Sequence, residues 1–316
     1  MQGIIKTLSL RSESKILKTK KLTLCWLLLL LPMVAAGQNI ALSFDDGFNP
    51  ETNPQASHWN AAILASLSAA EVNAIYFVTG QRVDSSEGLS LVSDWGKAGH
   101  IVANHTYSHL NLSSKNVSLE SFITDVKRNE QLLKILPGWE KRFRFPYLKE
   151  GNTLEDRDGF RQWLTEQDYK PGAVSIDASD WSYNQRYLKW LKHHLGEDES
   201  VFLKAYLDHL WNRASYYDEL SHRLLNRSID HVILLHANAI NAAFLPDIIA
   251  MFNSKGWTII SPSKAYEDAI YYEKLEVLPA GESVLWSTAK QQGVTGLRYP
   301  AEDSVYEKPI LDVLGL

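Results

Sequence analysis

The stretch Ile40-Ala41-Leu42-Ser43-Phe44-Asp45-Asp46-Gly47 runs from a short, mostly apolar segment into two carboxylates and a glycine. The apolar part reads as a strand. Two adjacent carboxylates leaving a strand cannot both face the core, and Gly47 permits the sharp turn that presents them. The same unit recurs along the chain. Strands are expected at 40–44, 74–79, 100–104, 142–146, 173–176, 232–236 and 258–260. Segments of helical period lie between them at 59–70, 89–98, 119–136, 159–169 and 242–253. The third of these starts after Ser118 and stops before Pro137-Gly138, which is sound capping chemistry. Seven strands alternating with helices imply an α/β fold with a covered parallel sheet, either a barrel or a doubly wound sheet. In both, ligand chemistry gathers at the carboxyl ends of the strands. The interval 182–231 breaks the rhythm and reads as a helical insertion between strands five and six, while about 271–316 forms a C-terminal extension over the surface.

The residues that carry chemistry fall at those strand ends. Asp45-Asp46-Gly47 offers a metal ligand beside a general base, or simply a polar turn with a helix cap. His105-Thr106-Tyr107-Ser108-His109 places two imidazoles four residues apart, expected on one face of a helical turn, where they can share a cation. An Asp/His/His set with open positions suits a hydrolytic metal site, and equally a non-haem iron oxygenase. Arg144 in Arg144-Phe145-Pro146-Tyr147 can hold a carboxylate ionised and aimed, and Pro146 can direct the Tyr147 N–H at an oxyanion. Asp177-Ala178-Ser179-Asp180-Trp181 follows the fifth strand, and the sixth runs directly into His236. An Asp paired with His236 raises its pKa and keeps it protonated as a general acid. Trp181 and Leu234 offer an apolar wall for a small acyl methyl group. Trp190 and Trp211, inside the insertion, are candidates for a groove rim.

Composition narrows the partners. The 316 residues are 45% hydrophobic and 22% charged, ordinary globular usage that excludes a disordered or disulfide-dense chain. Residues 1–37 hold six of the 32 Lys/Arg and one of the 37 Asp/Glu, so the remainder carries a net charge of −10. Such a surface repels phosphates, so no nucleic acid partner is expected. Within 1–37, Lys18, Lys20 and Lys21 precede an apolar run over 22–31 and the small residues Ala35, Ala36 and Gly37, the layout of a secretory signal peptide. The run falls short of the ~20 residues a spanning helix needs, so no stable membrane span is expected after cleavage. An uncleaved N-terminal anchor is the alternative. Cys25, the only cysteine, is lost on cleavage, which suits an oxidising compartment. The expectation is export to a periplasmic or extracellular location, with 38–316 as one domain.

Taken in order, Ser43-Phe44-Asp45-Asp46-Gly47, His105-Thr106-Tyr107-Ser108-His109, Arg144-Phe145-Pro146-Tyr147, Asp177-Ala178-Ser179-Asp180-Trp181 and Leu234-Leu235-His236 resemble the five motifs of the polysaccharide deacetylases. These are the NodB-homology proteins of carbohydrate esterase family 4, and the resemblance covers about residues 39–265. It implies a distorted (β/α)7 barrel and a metal-dependent hydrolase acting on carbon–nitrogen bonds other than peptide bonds. The implied reaction removes N-acetyl groups from a peptidoglycan- or chitin-like amino-sugar glycan and releases acetate. It implies Asp46, His105 and His109 as ligands of a divalent metal, zinc first, with cobalt or another first-row metal as alternatives. Asp45 is then the general base and His236 the general acid. Arg144 tunes Asp45, Asp180 tunes His236, the Tyr147 amide joins the oxyanion site, and Trp181 and Leu234 line the acetate pocket. Three departures stand out: Phe48 where many members have Pro, Ala237 where many have Asp, and a longer stretch between the fourth and fifth motifs. An O-acetyl esterase, a non-sugar C–N amidase and a non-catalytic glycan-binding barrel remain as alternatives. The acetylated glycan is the one partner implied, and oligomeric state is left open.

Overall fold

Strand β1 (Asn39–Asp46) is buried along nearly its whole length, and every other part of the sheet is positioned from it. The computed structural model describes residues 37–194, 196–298 and 307–316. The expected export signal therefore lies, apart from Gly37, outside the described residues. Among those described, no helix is long and apolar enough to cross a membrane.

From β1 the chain runs through α1 (Ala56–Ala69), β2 (Ile75–Val78), α2 (Gly80–Val83), α3 (Ser86–Lys97), β3 (Ile101–Asn104), α4 (Leu119–Leu133) and β4 (Trp139–Phe143). Then come β5 (Lys149–Gly151), α5 (Leu154–Glu166), β6 (Lys170–Pro171), β7 (Ile176–Asp177), α6 (Asp180–Leu191), α7 (Ser200–Leu225), β8 (Asp230–His236), α8 (Ala239–Ser254) and β9 (Thr258–Ile259). The remainder holds α9 (Pro262–Ala265), β10 (Ala280–Gly281), α10 (Val284–Gln291) and α11 (Lys308–Leu314). The main sheet has the order β6-β4-β3-β2-β1-β8-β7, with every pairing parallel. β8 pairs β1 from Asn39 to Asp45, while the opposite edge of β1 takes β9 at its start and β2 at its end.

The two ends of that order, β6 and β7, are separated in the chain only by residues 172–175. The curled sheet therefore ends, on both sides, in one segment. Of the strand expected at 173–176 only Ile176 is strand, as the start of β7, while β6 lies before it, and the cause is local. Pro171 has no N–H to give a ladder, and Gly172 passes so close to β4 that an added Cβ would lie 2.5 Å from the Phe143 carbonyl oxygen and 2.5 Å from the Phe77 ring. The fourth strand also ends earlier than expected, at Phe143, which leaves Arg144 at the mouth of the sheet.

Register then puts the chemistry at one level. Asp45 stands opposite both Phe77 and His236, Asp46 opposite Val78, Val78 opposite Asn104, and Asn104 opposite Phe143. Alternation along β1 sends Phe44 out to the ring of Trp95 in α3, at 5.3 Å, and turns Ser43 and Asp45 inward to Arg144. A second, aromatic core of Phe122, Phe143 and Phe160 fixes α4 and α5 against β4. Two elements outside the expected pattern, β5 and β10, pair antiparallel and tie the C-terminal region to the loop after Arg144.

Because closure depends on the close approach at Gly172, the Gly172→Ala variant is expected to lose about 1–3 kcal/mol of stability through overpacking. A lowered urea midpoint at unchanged m-value is the measurement; a wild-type midpoint shows that the segment yields without cost.

Candidate active site

A strand's two-residue period would send Asp45 and Asp46 to opposite faces, and the backbone prevents it. Asp46 takes φ 80 and Gly47 φ 151, so the turn swings the second carboxylate back over the strand ends. A Cβ at Gly47 would also lie 2.8 Å from Val83 Cγ1. Strained backbone continues around the site, at Thr106 (φ 63), His109 (φ 54), Tyr147 (φ 57) and Ser179 (φ 49). Such conformations cost of order 1–3 kcal/mol each and persist where the surroundings over-determine them.

Asp46, His105 and His109 converge, each offering one ligand atom within 4.8 Å of the others. They do so without the expected helical turn. The 105–109 segment is irregular, with Thr106 and His109 in the left-handed region and the Thr106 N–H donating to Asn104 Oδ1 at 2.9 Å. His109 Nε2 lies 3.4 Å from Asp46 Oδ1, and the two imidazoles meet edge to face at 5.0 Å. His105 Nδ1 is tied to the Arg144 carbonyl at 2.9 Å, which leaves Nε2 turned toward the carboxylates. Burial pushes His105 well below its ordinary pKa and lowers His109 too. Burial also resists ionisation of Asp46, but His236, Arg82 and His109 outweigh it and bring its pKa down to about 2. Two neutral imidazoles and one ionised carboxylate are a donor set that fits a first-row divalent cation.

Asp45 sits beside this triangle, 2% exposed. Arg144 Nη1 donates to its Oδ1 at 2.5 Å and to Ser43 Oγ at 3.0 Å, and His105 Nε2 is 3.5 Å from Oδ2. Burial raises the Asp45 pKa to about 6 against the pull of Arg144. Arg144 is itself fixed by the Gly172 carbonyl at 2.7 Å, the Tyr266 hydroxyl at 3.2 Å and the face of Phe77 at 3.9 Å.

Across from Asp45, His236 Nδ1 meets Asp180 Oδ1 at 2.5 Å. Asp180 Oδ2 accepts from the His236 N–H at 2.9 Å, Asn238 Nδ2 at 3.0 Å and Asn241 Nδ2 at 2.7 Å. Burial alone would lower the His236 pKa, but the charge and hydrogen bond of Asp180 override it and raise it to about 9. Asn238 and Asn241 were not among the expected site residues. Asn238 caps α8 through the Asn241 N–H, and α8 begins three residues earlier than apolar periodicity indicates, so the capping asparagine was the available signal.

A cleft of about 610 Å³ opens over the site. His109, Tyr147, Arg82, Asn184, Asn238 and Trp59 are among its lining residues. Tyr147 is 57% exposed and rests its ring on His109 at 4.5 Å. Trp181, in the first turn of α6, and the buried Leu234, level with Ser43 and Asp177, lie outside that lining. So do Trp190 and Trp211, which pack on His194 and Trp257 instead. Arg82, which pairs with Asp46 Oδ2 at 3.2 Å, was not anticipated, having no motif of its own.

The family model described as polysaccharide deacetylase matches residues 34–161. That span includes Asp45, Asp46, His105, His109, Arg144 and Tyr147 and stops before Asp180 and His236. The chain is 32% identical over 143 residues to a peptidoglycan-N-acetylglucosamine deacetylase of Bacillus cereus, covering 45% of this chain and 46% of that one. It is 24% identical over 256 residues to a bifunctional xylanase/deacetylase of Pseudobutyrivibrio xylanivorans, covering 79% of this chain and 33% of that one. The matches thus span less than half the length of these curated relatives. Among solved structures, a CE4 family pseudoenzyme from Bacillus anthracis has a similar fold, with a TM-score of 0.51 at 15% identity over 73% of this chain and 66% of that one. Over 34–161 the chain thus resembles the polysaccharide deacetylase family.

Proposed function

We propose that the protein is a metal-dependent deacetylase that removes N-acetyl groups from an amino-sugar glycan of peptidoglycan or chitin type and releases acetate. The observation that carries this reading is the convergence of Asp46, His105 and His109 between two separately paired groups, Asp45 with Arg144 and His236 with Asp180. A relative named for peptidoglycan N-acetylglucosamine supports the substrate class. Such a glycan lies outside the cytoplasmic membrane, in accord with 1–37 acting as an export signal ahead of a single domain.

Asp46, His105 and His109 hold a divalent cation, zinc before cobalt or another first-row metal, which when bound supplies Lewis acidity toward water and a carbonyl oxygen. The protein's own groups handle the protons. Asp45, ionised above about 6, takes the proton of the attacking water as the new C–O bond forms. Arg144 keeps that carboxylate aimed. The Tyr147 N–H faces the developing oxyanion, a contact of about 3 kcal/mol in comparable sites. His236, still protonated below about 9, delivers its proton to the amide nitrogen as the C–N bond breaks, because an amide nitrogen leaves only when protonated. Trp181 and Leu234 wall the acetyl methyl group from behind the cleft lining.

Acetate release from chitin oligomers, peptidoglycan and acetylxylan by metal-reconstituted protein tests the reading, and absence of release from all three rejects it. The Asp46→Ala variant is expected to lose both stoichiometric metal and turnover. His236→Ala is expected to retain the metal while turnover falls about 10²–10⁴-fold. Elemental analysis beside the assay separates the two roles. The pH profile of kcat/KM is expected to be bell-shaped. It rises near 6 as Asp45 loses its proton and falls near 9 as His236 loses its own. In Asp180→Asn the counter-charge is gone, so the alkaline limb should move to lower pH; an unmoved limb removes His236 from the role of acid.

A further inference from the structure

Helix α7 turns an inward stripe toward the barrel that includes Phe202, Tyr206, His209, Arg213, Tyr217 and Leu220. The spacing is ordinary for a packed helix, but four of these residues carry buried polar groups. A buried hydroxyl, imidazole or guanidinium is costly unless hydrogen-bonded, so its partner shows what the position is for. Here the partners converge on one small region. Tyr206 donates to Asn241 Oδ1 at 2.7 Å, and Asn241 Nδ2 donates to Asp180 Oδ2 at 2.7 Å and to the His236 carbonyl at 2.9 Å. His209 Nε2 donates to the Ala178 carbonyl. Arg213 Nε donates to the Asp177 carbonyl at 3.1 Å. Between those two carbonyls and Asp180 stands Ser179 at φ 49, a conformation that needs holding.

We propose that Tyr206, His209 and Arg213 are positioning residues, through which α7 clamps the 177–180 turn and the Asn241 amide so that Asp180 meets both the backbone N–H and Nδ1 of His236. The inference rests on the assignment of His236 as the proton donor and gives the long interval between β7 and β8 a catalytic task. Asp180 Oδ2 already collects three donors, which leaves Oδ1 free for the imidazole. A rotated Asn241 amide would aim oxygen at a carboxylate, and the Tyr206 hydroxyl favours the orientation that does not. The two carbonyl contacts set the height of the turn, and with it the 2.5 Å approach of Asp180 to His236.

The variant Tyr206→Phe keeps the ring and its volume and removes only the hydroxyl. The probe is the far-downfield proton resonance of the His236 imidazole in the full chain, assigned by its loss in His236→Gln. In Tyr206→Phe this resonance is expected to move upfield. On an N-acetylglucosamine oligomer kcat should fall about tenfold, the scale of one hydrogen bond to a charged group, with KM and metal content unchanged. His209→Leu should lower kcat in the same way, and His209→Gln, which still offers an N–H to the Ala178 carbonyl, should recover most of it. A lowered melting temperature with resonance and kcat at wild-type values overturns the proposal and reduces α7 to packing. No downfield resonance in the wild type overturns it as well. A resonance that responds to Tyr206→Phe in a protein releasing no acetate supports the clamp and rejects the deacetylase reading instead.

Discussion

The Arg144 guanidinium is the point on which the rest of the structure turns. At 1% exposure it bonds Asp45 and Ser43 of β1, the Gly172 carbonyl in the segment where both sheet edges end, and Tyr266, while its own carbonyl anchors His105. One buried cation therefore joins barrel closure, the proposed general-base carboxylate and the orientation of a candidate metal ligand. A buried charge is tolerable only when its partner is equally fixed, and a buried carboxylate likewise. Arg144 and Asp45 satisfy that condition for each other, and neither can be exchanged without stranding the other.

This pairing also keeps the two proposed tasks, base and acid, apart within a few ångströms. Asp45 and His236 face each other across β1 and β8 in register. Were they each other's main counter-ions, the proton of one would answer the charge of the other and neither would be poised for chemistry. Instead Asp45 leans on Arg144 and His236 on Asp180. Burial lifts Asp45 to about 6, Asp180 lifts His236 to about 9, and between those values the carboxylate is free to accept while the imidazole can donate.

Much of this was legible in the residue order, and the reason is topological. A strand end is where a side chain leaves a ladder, so Asp45, Asp46 and His236 announce themselves by following apolar runs, and Arg144 by closing the mixed strand 139–143. What stayed hidden depended on backbone geometry or distant contact. The spacing of His105 and His109 reads as one helical turn, yet the pair meets through left-handed residues at Thr106 and His109. Residues 173–175, expected as strand, are irregular where Gly172 passes against Phe143 and Phe77, and both contacts lie far away in the chain. Trp59, Asn184 and Asn238 line the cleft without belonging to any strand-end motif that the residue order marks.

The polar stripe of α7 illustrates the limit most clearly. By periodicity, Tyr206, His209 and Arg213 are indistinguishable from core positions, and the helix reads as an amphipathic insertion. Their chemistry becomes visible only when the helix is laid on the barrel, where His209 and Arg213 meet the 177–180 turn and Tyr206 meets Asn241. A site built from strand-end motifs is local in sequence, whereas the rigidity it needs is not. The group that fixes Asp180 is supplied from β8 and α8 on one side and α7 on the other. Such a support tolerates change in what lies between its contacts, so long as the three inward side chains still reach their acceptors. That is how a long interruption of the barrel rhythm can sit directly behind the proposed proton donor without disturbing it.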